Sequence, residues 1–273
     1  MKPIAILAAF LLLGALPLTG RAAEMIAQDI RADMRAADVV ILGEIHDNPT
    51  HHLVQAEAVE VIAPSAVVWE MVTEEGAQRL LQKAASDPEE LSEVLRWAET
   101  GWPHLSMYYP VFEAANVPVY GAMVPRAAAR EAMERGAATA LGADAARYGL
   151  TVPLSAEDQA AREADQLAAH CDALPIEALP QMVAIQRLRD AVLTRAVLSA
   201  IDETGGPVAV ITGNGHARKD RGIPTFLSRL RPGLKVFVLG QSEEGIVSGE
   251  FDIVIDSPAA EREDPCKAFE VQN

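Results

Sequence analysis

Three short apolar runs, each ending abruptly in ionisable or glycine-rich sequence, constrain this chain more than any other feature. Val39–Leu42 runs into Gly43, Glu44, His46 and Asp47. Val67–Trp69 runs into Glu70, and Val208–Ile211 runs into Gly213, Asn214, Gly215 and His216. Continuous apolar runs too short for a helix suit strands covered on both faces, which is how parallel sheets are built. If the three runs are parallel, their polar ends emerge along one edge, where open α/β folds place their sites.

The rest of the pattern alternates. Helices are expected at 24–36, from Asn48 and Pro49 to near Pro64, at 73–84, 88–99 and 127–140, from Ser155 to His170, at 179–202 and at 223–230. A short one runs from Met107 or Pro110 through Ala115. Asn48 before Pro49, and Asp87 before Pro88, are helix-start signals. Further strands are expected at Pro118–Ala122, Leu234–Leu239 and Phe251–Ile255, with an antiparallel placement open for the last. The class is therefore α/β: a mostly parallel sheet flanked by helices, with a largely helical insertion or cap at about 125–205. Residues 24–273 read as one domain.

The N-terminus reads as an export signal over residues 1–23. Lys2 precedes an apolar stretch, Ile4–Leu16, and small residues surround a cleavage region at Ala22 or Ala23. The stretch is shorter than a spanning helix needs. No cysteine sits at its end, so a periplasmic location is expected rather than a lipid anchor. Cys171 and Cys266 are the only cysteines. An oxidising compartment lets them pair, tying the C-terminal tail to the end of a long helix. The formal net charge of −16 repels phosphate backbones and argues against a nucleic-acid partner.

Two chemistries are open at the strand ends. Glu44, His46 and His216 are hard or borderline donors suited to zinc or manganese, and Glu70 could serve there as general base in a hydrolase. Alternatively, the aromatic segment around Trp102, Tyr108 and Tyr109 offers a flat wall for a porphyrin. Tyr108 or Tyr109, beside His104, could supply the donor for ferric iron. Arg218, Lys219 and Arg221 could hold propionates or pair with surface acids. The stretch GNGHARKDRGIP lacks the ending of a phosphate loop, and no G-x-S-x-G elbow is present.

Taken together, ILGEIHDNPTHHLVQ, VVWEM, GWPHLSMYYPVF, MVAIQRLRDAVL and ITGNGHARKDRGIP resemble the ChaN-like family, in order over about residues 35–235. The resemblance implies an α/β fold and a haem-binding, iron-regulated role in haem or iron uptake. It also implies a homodimer holding haem between subunits, with tyrosine on iron and a haem transporter as a further partner. Glu44, His46, His52 and Glu70 match the family's early motifs. Tyr108 falls at its tyrosine after the GWP turn, and Asn214, His216, Arg218, Asp220 and Gly222 match the late motif. The wider superfamily includes Tiki, TraB and erythromycin-esterase-like proteins with a similar strand-end Glu/His arrangement.

Overall fold

Six strands form one sheet: β1 (Val39–Glu44), β2 (Ala66–Trp69), β3 (Val119–Gly121), β4 (Val208–Gly213), β5 (Val236–Glu243) and β6 (Ile253–Ser257). Their order is β3-β2-β4-β1-β5-β6 and every pairing is parallel. The computed structural model describes residues 25–83, 85, 87–264, 266 and 267; the expected export segment lies outside them.

β6 is parallel, which resolves the orientation left open above. After β5 the chain turns through Glu244 and Gly245, both at positive φ. It then returns beside β5 because Gly240 has no side chain: a Cβ there would lie 2.6 Å from the Phe251 ring.

The sheet is buried on both faces. On one face, α1 (Gln28–Arg35), α2 (Pro49–Ile62), α3 (Glu74–Gln82), α4 (Pro88–Leu95) and α5 (Tyr109–Ala114) contribute to a core with Val40, Leu42, Val67, Trp69 and Ile211. α2 starts as expected, with the Asn48 side chain accepting from Thr50 N and Pro49 in the first turn. α4 stops at Arg96, which is left-handed (φ 54°), short of the expected residue 99.

The other face is covered by α9 (Leu179–Thr204) and α11 (Ile223–Leu230), whose Leu193, Val197, Ile223 and Leu227 meet Val39, Ile41, Val68 and Val210. The long α9 thus belongs to the sheet's own sandwich. α6 (Arg126–Arg135) and α7 (Ala137–Leu141), divided at Gly136 (φ 87°), pack against α9. α8 (Ala156–Ala169) also lies on α9 but buries none of its residues.

The expected disulfide is present: Cys171, just past α8, is bonded to Cys266. Among the described residues no helix is long and apolar enough to cross a membrane.

Candidate functional site at the strand ends

The register of the central strands sets the level of the site. Glu44 at the end of β1 pairs with Gly213 at the end of β4. Glu70, one residue past β2, donates its amide to Ile211 O at 3.1 Å. Both carboxylates therefore sit at the carboxyl edge. Side chains alternate across a sheet, so Glu44 follows Val40 and Leu42 to the face of α2 and α5, while Glu70 follows Val68 to the face of α9. The sheet separates them into two half-clusters.

In the first half-cluster, Glu44 Oε1 lies 2.6 Å from His46 Nδ1, and Oε2 lies 3.4 Å from His52 Nδ1. Tyr108 donates its hydroxyl to Glu44 Oε1 and to the His46 carbonyl, each at 3.1 Å. Burial pushes the Glu44 carboxyl up, but hydrogen bonds and charge from His46 and His52 outweigh it and hold the group down at about 2. His46 and His52 are raised in turn: burial favours their neutral forms, and this is more than reversed by Glu44 for His52 and, for His46, by the Glu44 hydrogen bond together with the charges of Glu70 and Glu44. His51, on the same helix, is structural. Its Nδ1 accepts from Ile45 N at 2.9 Å, and Nε2 meets Ser257 Oγ at 3.0 Å.

In the second half-cluster, Glu70 Oε2 accepts from Thr212 Oγ1 (2.7 Å) and Gly213 N (2.9 Å), and Oε1 faces His216 Nε2 at 3.4 Å. His216 Nδ1 lies 2.6 Å from Asp190 Oδ1. The imidazole of His216 is thus held between two buried carboxylates. Burial lowers its proton affinity, but the charges of Glu70 and Asp190 raise it to about 10. Glu70 is pulled well below its usual range against the cost of burial. For Asp190, burial wins over His216 and pushes the carboxyl up.

Gly213 is the passage between the halves. A Cβ there would lie 2.8 Å from His46 Nε2 and 3.8 Å from Glu70 Oε2. Its missing side chain lets the His46 ring lie over the strand end, with Trp102 on another side at a centroid distance of 4.6 Å.

The expected metal set, Glu44, His46 and His216, does not converge. The sheet places Glu44 and His216 in different halves, and both are engaged by other partners. Among the described residues no group of three or more His, Cys, Asp or Glu is arranged to hold a metal.

The haem residues separate as well. Tyr108 is fully buried, packed against His52 at 4.0 Å and Trp97 at 5.2 Å between centroids. Burial and the Glu44 charge push its phenol far above the usual range, the reverse of what a tyrosinate ligand needs. Its neighbour Tyr109 is only half-buried, as is Trp102, and His104 is exposed. The Trp102 indole nitrogen is shielded and has no hydrogen-bond partner.

Arg218 is buried and its guanidinium is occupied, by Asp220 through Nε (2.8 Å) and Nη2 (2.6 Å) and by Asp165 through Nη1 (2.7 Å). It is an internal clamp: three of its five N–H donors serve acids of the chain itself, and the side chain is buried. Asp190 was not anticipated from the sequence. Its signal is an acid at the seven-residue spacing between Val183 and Val197, on the buried stripe of α9.

The sequence matches the family described as haem-binding uptake, Tiki superfamily, ChaN over residues 30–227. No curated protein matches the chain. Among solved structures, the chain is similar to one described as cofacial haem binding to ChaN of Campylobacter jejuni. The TM-score is 0.65 at 21% identity, covering 82% of this chain and 89% of that one. The type III effector HopBA1 aligns at a TM-score of 0.46 and 14% identity, over 84% of this chain and 92% of its own.

Proposed function

The chain belongs to the ChaN family of haem-binding proteins in the Tiki superfamily, and from this premise we propose that it carries ferric haem in haem or iron uptake. The observation that supports a place for the porphyrin is the partly open aromatic wall beside the strand ends. Trp102 and Tyr109 are half-buried and His104 is exposed, and both aromatics pack on the core beneath. Such a wall suits a flat apolar macrocycle. Tyr109 is the iron ligand in this reading. Its phenol stands at the open wall, unlike that of Tyr108; burial and the nearby Glu113 charge raise its proton affinity, so iron has to displace that proton. His104 holds Ser106 through Nδ1 (Oγ at 2.8 Å), so its Nε2 faces outward as a second donor.

Haem on an open wall leaves one porphyrin face uncovered. A second copy of the chain would cover it, in keeping with the cofacial binding described for the Campylobacter jejuni protein. We place this role in the periplasm, with transfer to a haem transporter, on the strength of the signal-like N-terminus.

A zinc- or manganese-dependent hydrolase with Glu70 as base is the second reading. It is favoured by the approach of His46, Glu70 and His216 around Gly213, where a Cβ would lie 2.8 Å from His46 Nε2 and 3.8 Å from Glu70 Oε2, with Glu70 Oε1 facing His216 Nε2 at 3.4 Å.

The test is a haemin titration of the mature protein with metal analysis of the same sample. A saturable spectral change at stoichiometric haemin, without bound zinc or manganese, supports haem carriage. Absence of that change, together with a tightly held metal lost on His46→Ala or His216→Ala, moves the assignment to the hydrolase. Signal-peptide cleavage and fractionation of the native host test the location.

A further inference from the structure

A cavity of about 400 Å³ lies between α8, α9 and the loop after β4, and none of Trp102, His104 or Tyr109 lines it. Its volume falls in the range of small-molecule pockets. It opens at the carboxyl edge of β1 and β4, the two central strands, where ligands of open parallel sheets bind. We infer that this cavity is a second binding site, independent of the haem wall, for a small organic acid: one carboxylate carrying a short apolar body.

The carboxylate is argued from the donors that face the cavity. Arg221 lines it, and its Nη1 is buried without a hydrogen bond, although Asp165 lies within ion-pair distance at 3.1 Å. Arg162 also lines it and uses Nε on Asp158 at 2.9 Å; its outer nitrogens make no hydrogen bond among the described residues. The third donor is the Gln186 amide, 3.2 Å from His216 Nδ1. Gln186 lines the cavity, so the same N–H₂ group can also turn to a ligand there. An anion in the cavity would satisfy all three.

The acids that line the cavity are already neutralised. Asp190 is paired with His216, and Asp165 with Arg218. The apolar body is argued from Ile45, Val183 and Ile246 on the walls. Gly215 lines the cavity beside the Gln186 amide, and a Cβ there would stand 3.3 Å from Gln186 Nε2 and press on it.

The experiment is titration of the apo protein with ¹³C-carboxyl hexanoate, followed by NMR, with hexan-1-ol as the uncharged control. Saturable binding of hexanoate is expected, weaker by about tenfold for hexan-1-ol, as the loss of charge-assisted hydrogen bonds implies. Gln186→Leu and Gly215→Ala should each weaken hexanoate several-fold while leaving haemin titration unchanged. Two variants at separate elements guard against one failing to fold, checked by urea unfolding. No saturable hexanoate signal, equal binding of the alcohol, or wild-type affinity in both variants would overturn the site. Haem-loaded protein should bind hexanoate as well as apo protein does. Displacement of hexanoate by haem would instead make the cavity part of the haem site and end its independence. Because hexanoate is read without haem, failure of the haem reading leaves this test intact.

Discussion

The Tyr108 hydroxyl lies 3.1 Å from Glu44 Oε1, inside the sheet edge and away from any open surface. This contact makes Tyr108 a support for the Glu44–His46 pair. Tyr108→Phe should therefore keep the ferric haem spectrum while costing about 1.5–3 kcal/mol of stability, the usual contribution of a hydrogen bond to a charged group. Tyr109→Phe should do the opposite: weaken haemin binding and shift its absorption bands, with little change in urea midpoint. If Tyr108→Phe instead abolishes the haem signal in a folded protein, the open-wall assignment is wrong.

The buried ion network makes stability depend on pH from both sides. Glu44 is held at about 2 against an ordinary 4.5, so its contribution is complete above 4.5 and is lost as pH falls toward 2. Glu70 acts in the same direction. His216 is raised from 6.5 to about 10, so its contribution is complete below 6.5 and is lost as pH rises toward 10. His46 and His52 add to that alkaline loss. Resistance to urea should therefore peak between about pH 4.5 and 6.5 and decline steadily toward pH 10. His216→Gln should flatten the alkaline limb. A wild-type midpoint that stays constant from pH 6.5 to 10 would show that His216 is not held as an imidazolium.

The disulfide joins residues 95 apart, and it fixes the end of α8, a helix with no fully buried residue. A loop of that length restricts the unfolded chain strongly, so Cys171→Ser with Cys266→Ser should cost roughly 2–4 kcal/mol. The loss should appear in urea unfolding, and a dithiol added to the wild type should reproduce it. Equal midpoints with and without dithiol would mean that the bridge contributes nothing to the global fold.

How far these features could be read from the sequence depended on the range of the information each needed. β1, β2 and β4 were legible because fully buried parallel strands are apolar at every position, as Val39–Leu42 and Val208–Ile211 are. The placement of Glu44, Glu70 and His216 at one edge followed from parallelism alone. Their division between two faces did not, because it depends on the side to which each chain end turns. Glu44 continues the parity of Leu42, whereas Glu70 continues that of Val68, and a spacing count treats both as strand-end acids. Tyr108 and Tyr109 pose the same difficulty. They are adjacent in sequence, and only the turn at Leu105–Met107 decides which ring enters the core. Asp190 was hidden for another reason: an isolated acid in a long helix ordinarily faces water, and its partner His216 lies 26 residues away.

Gly213 carries the most demanding steric requirement of the site. Its backbone is extended, with φ −64°, so alanine meets no dihedral obstacle there. The difficulty is space: the added methyl would stand 2.8 Å from His46 Nε2 and 3.2 Å from Cε1. The imidazole is anchored on its other side by Glu44 at 2.6 Å and flanked by Trp102. It can yield only by breaking the Glu44 contact or by swinging outward past the indole. Gly213→Ala should cost about 1–3 kcal/mol, the usual range for overpacking. It should also displace the His46 ring signals in NMR, while the His216–Asp190 pair, on the far face, keeps its shifts. The double variant Gly213→Ala with His46→Ala should recover most of the lost stability, since the clash disappears with the ring. A double variant no more stable than the sum of the two single changes would place the cost of the methyl elsewhere, against Glu70 or the β1 backbone, and would remove Gly213 as the passage that joins the two halves of the site.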